Sequence, residues 1–182
     1  MRRLFVAVAL DDEARHALAS QLDSAIATDL PGLVVRPANW HLTLRFVGDV
    51  DDPTVDRIVY ALDDSALGSA FRVRLGRFGA FPTMKRAQVL WVGVQSGDDD
   101  LAALAAAVNG ALEAAGVEPE DRPFRPHLTI ARLRPIESVA DLITNAGPID
   151  IPITIDRVTL YERRLRRGGA EYEVVDEFPL SE

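Results

Sequence analysis

His41-Leu42-Thr43-Leu44 and His127-Leu128-Thr129-Ile130 are one pattern written twice in a chain of 182 residues. The match extends upstream. Residues 36–44 read Arg-Pro-Ala-Asn-Trp-His-Leu-Thr-Leu and residues 122–130 read Arg-Pro-Phe-Arg-Pro-His-Leu-Thr-Ile, aligning Arg36 with Arg122 and Pro37 with Pro123. Two of the chain's three histidines fall in these frames. Internal similarity comes first in reading a sequence because it exposes duplicated structural units. Both copies alternate apolar and polar residues, as a strand with one buried face does. Residues i and i+2 of a strand share a face. His41 therefore stands beside Thr43 and His127 beside Thr129, while Leu42, Leu44, Leu128 and Ile130 turn to the core.

Outward from the motifs, Leu4–Leu10 reads as a buried strand, and Asp11 or Asp12 caps a helix with Ala14, Leu18, Leu22, Ala25 and Ile26 on one stripe. His16 lies off that stripe, on a solvated face. The first motif strand runs His41–Val47, and Asp52-Pro53 opens a helix carrying Val55, Ile58, Val59 and Leu62. Strands at Phe71–Leu75 and Val89–Val94 form a hairpin whose long loop includes Phe81–Arg86. Asp98–Asp100 starts a helix running through Leu101–Ala115 to Gly116, and reads as a solvated cap rather than a metal site. The second motif strand, His127–Leu133, is followed by a short helix at Glu137–Thr144. Ile149–Ile155 alternates as a strand, with Pro148 and Pro152 marking it as an edge or bulge. Strands Val158–Tyr161 and Tyr172–Val175 flank a basic loop, Arg163–Gly169. Mixed helices and strands with hairpins as well as crossovers predict an α+β fold.

Composition bounds the function. A hydrophobic content of 48 % with 26 % charge fits a soluble globular chain, and the absence of cysteine removes disulfides, thiolate metal sites and thiol nucleophiles. Arg2-Arg3 and the apolar run to Leu10 imitate a secretory leader, but the run stops at Asp11-Asp12-Glu13 with no small-residue cleavage site. No stretch reaches the roughly 20 apolar residues of a membrane span, so the expectation is a cytoplasmic protein without membrane contact. The net charge of −8 alone argues against a nucleic-acid partner. Its distribution argues otherwise: residues 122–167 hold nine Arg against five acids, a net +4. Arginine suits bidentate phosphate contacts.

Two imidazoles and two hydroxyls facing one groove, if the units face each other about a pseudo-two-fold axis, suit a tetrahedral anion. Histidine titrates near 6.5, so its acid and base forms are both available near neutrality. Opening a cyclic phosphodiester needs one group to deprotonate water and another to protonate the departing ribose oxygen. Two histidines do this without a metal, each contributing about 10²–10⁴-fold, with a bell-shaped pH–rate profile. Thr43 and Thr129 would hydrogen-bond the non-bridging oxygens as their charge grows. Arg45 has the strand parity of His41 and is a candidate phosphate contact. Arg132 has the wrong parity for His127 unless a bulge intervenes. A zinc site is disfavoured, because two histidines fall short of the usual three or four ligands. The expectation is no cofactor, no metal and a monomer. A lone His-Leu-Thr is usually a packing or surface feature; two copies in a His-poor chain point to catalysis.

These residues resemble the two-histidine phosphoesterase superfamily, marked by paired His-x-Thr/Ser-x motifs, and within it the RNA 2′,3′-cyclic phosphodiesterase branch, also called 2′-5′ RNA ligase-like. His-Leu-Thr-Leu-Arg-Phe-Val-Gly at 41–48, Pro-His-Leu-Thr-Ile-Ala-Arg at 126–132 and the opening Arg-Leu-Phe-Val-Ala carry the likeness, which runs from about residue 2 to residue 180. It implies one bilobal domain spanning 1–182, with two pseudo-symmetric lobes, each an antiparallel-rich sheet with helices outside, enclosing a central groove. It also implies metal-independent hydrolysis of RNA or nucleotide 2′,3′-cyclic phosphates to 2′-phosphomonoesters, with His41 as proton donor, His127 as acceptor and Arg132 at a matching position. Members often carry a serine where Arg163 stands here. Two readings compete: a nucleotide- or RNA-binding module without turnover, and 2′-5′ RNA ligation, the same reaction reversed.

Overall fold

The computed structural model describes residues 1–167 and 169–182. In chain order the elements are β1 (Arg2–Ala9), α1 (Asp12–Ala25), β2 (Leu33–Val34), a 3₁₀ turn (Pro37–Asn39), β3 (His41–Val50), α2 (Asp52–Asp63), β4 (Phe71–Thr83), β5 (Arg86–Ser96), α3 (Asp98–Ala114), β6 (His127–Glu137), α4 (Ala140–Asn145), β7 (Ile151–Ile155), β8 (Arg157–Arg166) and β9 (Gly169–Pro179). The fold is α+β. The strands join in one antiparallel sheet in the order β7-β4-β5-β6-β3-β1-β8-β9, with β2 added to β6.

That order has a centre. The motif strands β3 and β6 meet there through the pair Leu42↔Leu128. β1 and β5 flank them, β8 and β4 lie beyond, and β9 and β7 form the edges. The units exchange strands: β4 follows the first motif yet pairs with β5, and β8 follows the second yet pairs with β1. The expected two sheets are thus two halves of one continuous sheet. Apart, each motif strand would leave a row of backbone donors and acceptors unpaired, and the central contact relieves part of that cost.

Helices cover the outer face because their apolar stripes leave no other way to escape water. Leu18 and Leu22 of α1, Ile58 and Leu62 of α2, and Leu104, Val108 and Leu112 of α3 are buried in one core with Leu42, Leu44, Leu128 and Ile130. The Asp11 carboxylate accepts from the Ala14 amide at 2.7 Å and starts α1; Asp51, one residue before the expected opening, does the same for Thr54 at 3.0 Å and starts α2. Gly97 precedes α3 at φ +86°, where a Cβ would strike the Arg72 carbonyl. Asp98, Asp99 and Asp100 are exposed in the first turn, where their charge suits the helix dipole. No helix among the described residues is long and apolar enough to cross a membrane.

Several boundaries differ from expectation, and three of the differences bear on the connections between elements. β4 and β5 run to Thr83 and from Arg86, leaving Met84-Lys85 as the turn in place of the loop Phe81–Arg86. β6 extends to Glu137, so the helix starts at Ala140. The basic loop Arg163–Gly169 is mostly strand: Arg163–Arg166 belong to β8 and Gly169 to β9, while Gly168 lies outside the described residues. Ion pairs hold this hairpin, Arg164 to Glu173 at 2.9 Å and Arg166 to Glu171 at 3.6 Å, so it needs no apolar alternation. Pro152 sits where expected, on the edge strand β7, which pairs with β4 among the described residues, and Pro148 lies just ahead of it.

Candidate functional site

The concave face of the sheet holds a cavity of about 820 Å³ between the two motif strands and the β8–β9 hairpin. Both histidines and both motif threonines line it. The central register accounts for this. With Leu42 opposite Leu128, His41 falls opposite Thr129 and Thr43 opposite His127, on the face the two leucines do not use. Each imidazole thus has a hydroxyl from its own strand and one from the facing strand.

The two rings are held alike. His41 Nδ1 lies 2.8 Å from the Asn39 carbonyl, and His127 Nδ1 lies 2.7 Å from the Arg125 carbonyl. A carbonyl can only accept, so each Nδ1 carries the hydrogen and each Nε2 is left for chemistry. His41 Nε2 accepts from the Thr43 hydroxyl at 3.0 Å. An aromatic ring backs each imidazole at 4.9 Å, Phe5 behind His41 and Phe81 edge-on to His127. Tyr172 closes on His41 from the β9 side at 5.3 Å. Burial pushes His41 down from 6.5 to about 4, with Arg132 and then His127 adding to the fall. Burial lowers His127 too, again with Arg132 adding.

Arg132 reaches this cleft because of a bulge in β6, and the equivalent bulge in β3 removes Arg45. On β6, Leu90 pairs with Ala131 and Trp91 with Thr129, so Ile130 is an extra residue. On β3, Val6 pairs with Arg45 and Ala7 with Thr43, so Leu44 is extra. Both bulges fall three residues after the histidine, and a bulge sends two successive side chains to one face. Ile130 and Ala131 are both buried, as are Leu44 and Arg45. Residues five beyond each histidine then return to the cleft: Arg132 in one copy, Phe46 in the other. Arg45 is corrected as a phosphate contact. Its Nε donates to the Phe46 carbonyl at 3.1 Å, its Nη1 to Asn109 Oδ1 at 3.2 Å, and its Nη2 to the Glu118 carbonyl, tying β3 to α3 and to the segment leading into the second motif.

The cleft carries one sign of charge. Arg3, Arg36, Arg132, Arg134 and Arg163 line it, and no described lining residue is Asp or Glu, in a chain of net charge −8. Arg36 and Arg122 align in the sequence but part here, since Arg122 pairs with Glu120 at 2.8 Å outside the cleft. His16 is exposed on α1, its Nδ1 2.7 Å from the Asp12 carbonyl, and plays no part. No group of three or more His, Asp or Glu side chains suited to a metal ion occurs among the described residues. Sequence reading missed the aromatic backing by Phe5, Phe81 and Tyr172, and the cleft arginines Arg3 and Arg134. The bulge did leave a trace: Ile130 and Ala131 are adjacent apolar residues before Leu133, a break in period two.

Fold and cleft together define a duplicated His-x-Thr protein whose two motifs face one central, arginine-lined groove. The chain matches the family model described as 2′-5′ RNA ligase superfamily over residues 11–167, and it belongs to that family. Curated relatives include a protein of Aeropyrum pernix, 33 % identical over 88 % of this chain and 93 % of its own length, and one of Archaeoglobus fulgidus, 34 % identical over 78 % of each. Both are named RNA 2′,3′-cyclic phosphodiesterase. Among solved structures, Escherichia coli LigT complexed with 3′-AMP superposes with a TM-score of 0.84 at 25 % identity, covering 100 % of this chain and 99 % of that one.

Proposed function

We propose that this protein hydrolyses 2′,3′-cyclic phosphates at RNA ends or on nucleotides to 2′-phosphomonoesters, using His41 and His127 and no metal. The observation that carries the reading is the seam at Leu42↔Leu128, which sets each imidazole across from a hydroxyl in a cleft lined by arginine and not by carboxylate. The names of the relatives support the substrate class.

The reaction makes one P–O bond, from water, and breaks another, to the ribose 3′ oxygen. His127 Nε2 takes the water proton, and His41 Nε2 gives its proton to the 3′ oxygen. Assignment of His41 as the acid follows the family resemblance, because the two rings are held alike. Burial holds His41 near 4, so it is neutral at pH 7. A bound phosphate supplies the negative charge that favours the imidazolium and offsets Arg132, so the substrate itself loads the acid. Thr43, Thr129 and Arg132 stabilise the non-bridging oxygens. One chain supplies every group of the cleft, so the proposed reaction calls for no second subunit.

The test is phosphorus NMR on an oligonucleotide ending in a 2′,3′-cyclic phosphate, with chelator present. A 2′-monoester should form, and His41→Ala and His127→Ala should each lower kcat by about 10²–10⁴-fold. A 3′-monoester product, loss of activity on chelation, or full activity of the double variant refutes the proposal.

A further inference from the structure

The half of the cleft beyond His41 ends in two cations side by side. β1 and β8 pair with Leu4 opposite Glu162, so Arg3 falls opposite Arg163. Both side chains are exposed and both line the cleft. Like charges directly opposite each other on a sheet destabilise it. The neighbouring arginines of the same hairpin are neutralised, Arg164 by Glu162 and Glu173, and Arg166 by Glu171 and Glu173. Arg163 has no hydrogen bond or ion pair among the described residues. Arg3 reaches Asp49 only at 4.0 Å, with both side chains mostly in solvent. Two arginines kept adjacent and poorly compensated, in an otherwise acidic chain, are a site awaiting an anion.

The surroundings say which anion. Phe5, behind the His41 ring, is two residues from Arg3 on β1, a separation of about 7 Å along a strand. A phosphate at His41 and a second anion at the Arg3–Arg163 pair are thus about one nucleotide apart. Phe46, 57 % exposed, and Tyr172 line the same half of the cleft and offer aromatic surface to a base or sugar. We infer that Arg3 and Arg163 form a second phosphate subsite, which takes the 5′-phosphoryl group of the nucleotide whose 2′,3′-phosphate sits between the histidines. The ligand class is a nucleotide or RNA end carrying phosphate on both sides of one ribose. Guanidinium forks suit such an oxyanion. This rests on the proposed function for the first phosphate only.

Binding and turnover test the subsite separately. Calorimetry with adenosine 2′-monophosphate and adenosine 2′,5′-bisphosphate should show the bisphosphate binding roughly tenfold tighter, as one hydrogen-bonded charge contact provides. Arg163→Gln and Arg3→Gln, both at exposed positions, should each shrink that ratio and flatten the salt dependence of bisphosphate binding by about one phosphate contact. A dinucleotide ending in a 2′,3′-cyclic phosphate tells a bridging phosphodiester from a 5′-monoester: if the phosphodiester is the natural occupant, its kcat/KM advantage over the nucleoside cyclic phosphate falls in the same variants. Equal affinity for the two adenosine nucleotides, or a ratio unchanged in both variants, overturns the inference. Tighter bisphosphate binding without turnover of any cyclic phosphate sinks the hydrolase proposal and leaves the subsite standing.

Discussion

Proton binding by His41 should make folding stability fall in mildly acidic solution, by an amount the structure fixes. The native ring titrates near 4, whereas in the unfolded chain it titrates at 6.5. Above pH 6.5 neither state binds the proton and His41 contributes nothing. As pH falls below 6.5 the unfolded chain gains a proton that the native ring refuses, so stability drops until the native ring also protonates near 4. Integrated over that interval, the loss is about 3 kcal/mol. Between pH 7 and pH 5 it is about 2 kcal/mol. The window from pH 7 to pH 5 lies above the unfolded value of 4.5 at which a carboxylate such as Glu120, held down to about 2 by Arg122, starts to lose its contribution. Such groups lose the rest only as pH falls towards their native values. His127 shifts in the same direction and adds to the wild-type loss. Urea unfolding at pH 7 and pH 5 isolates His41 when wild type is compared with His41→Asn, whose amide can still donate to the Asn39 carbonyl. Wild type should lose about 2 kcal/mol more than the variant, and added inorganic phosphate should narrow the gap by raising the native pKa. Equal losses in the two proteins would show that the His41 ring is as well solvated folded as unfolded, and the electrostatic account of the cleft would fail.

Replacing Arg132 by Met should raise the titration of both histidines, because its charge depresses both, and should cut kcat/KM on a cyclic phosphate; NMR of the ring protons reads the first effect. Arg45→Met leaves Asn109 and the Glu118 carbonyl short of a donor, so about 1–3 kcal/mol of stability should go while kcat per folded molecule holds, as denaturation and active-site titration together would report. Gly79→Ala puts a Cβ into the Trp91 indole, which lies 6.3 Å from His127 with Phe81 packed on both rings. A change in tryptophan fluorescence with a shifted His127 titration is expected; an unchanged emission spectrum would contradict this packing. Leu42→Ala and Leu128→Ala empty the central seam and should each cost about 2–5 kcal/mol in urea unfolding.

The duplicated motif, its place on strands, the capped helices and the α+β class were legible because each rests on local chemistry. Period two in His41–Leu44 and His127–Ile130, Asp11 ahead of the stripe Ala14-Leu18-Leu22, and the prolines flanking Ile151 all act within a few residues of chain. The two strands of the β8–β9 hairpin were legible, but their extension through Arg163–Arg166 and Gly169 escaped, because ion pairs between Arg164, Arg166 and their glutamates replace an apolar face there, and such pairs link residues whose partnership the sequence does not announce. Arg45 was misjudged and Arg132 left open for a single reason. A strand's parity counts from its last bulge, and Leu44 and Ile130 bulge only because β1 and β5 offer one residue where the motif strands bring two.

By itself, then, the sequence determined that two strands would each show a histidine and a threonine on one face, and that leucines would back them. Tertiary structure decided that the strands meet at Leu42 and Leu128, that Arg132 turns in while Arg45 turns away, and that Arg3 comes to rest beside Arg163. Side-chain alternation follows from the backbone of one segment. Register, bulges and charge neighbours are set by hydrogen bonds between segments far apart in the chain, and no single stretch contains them.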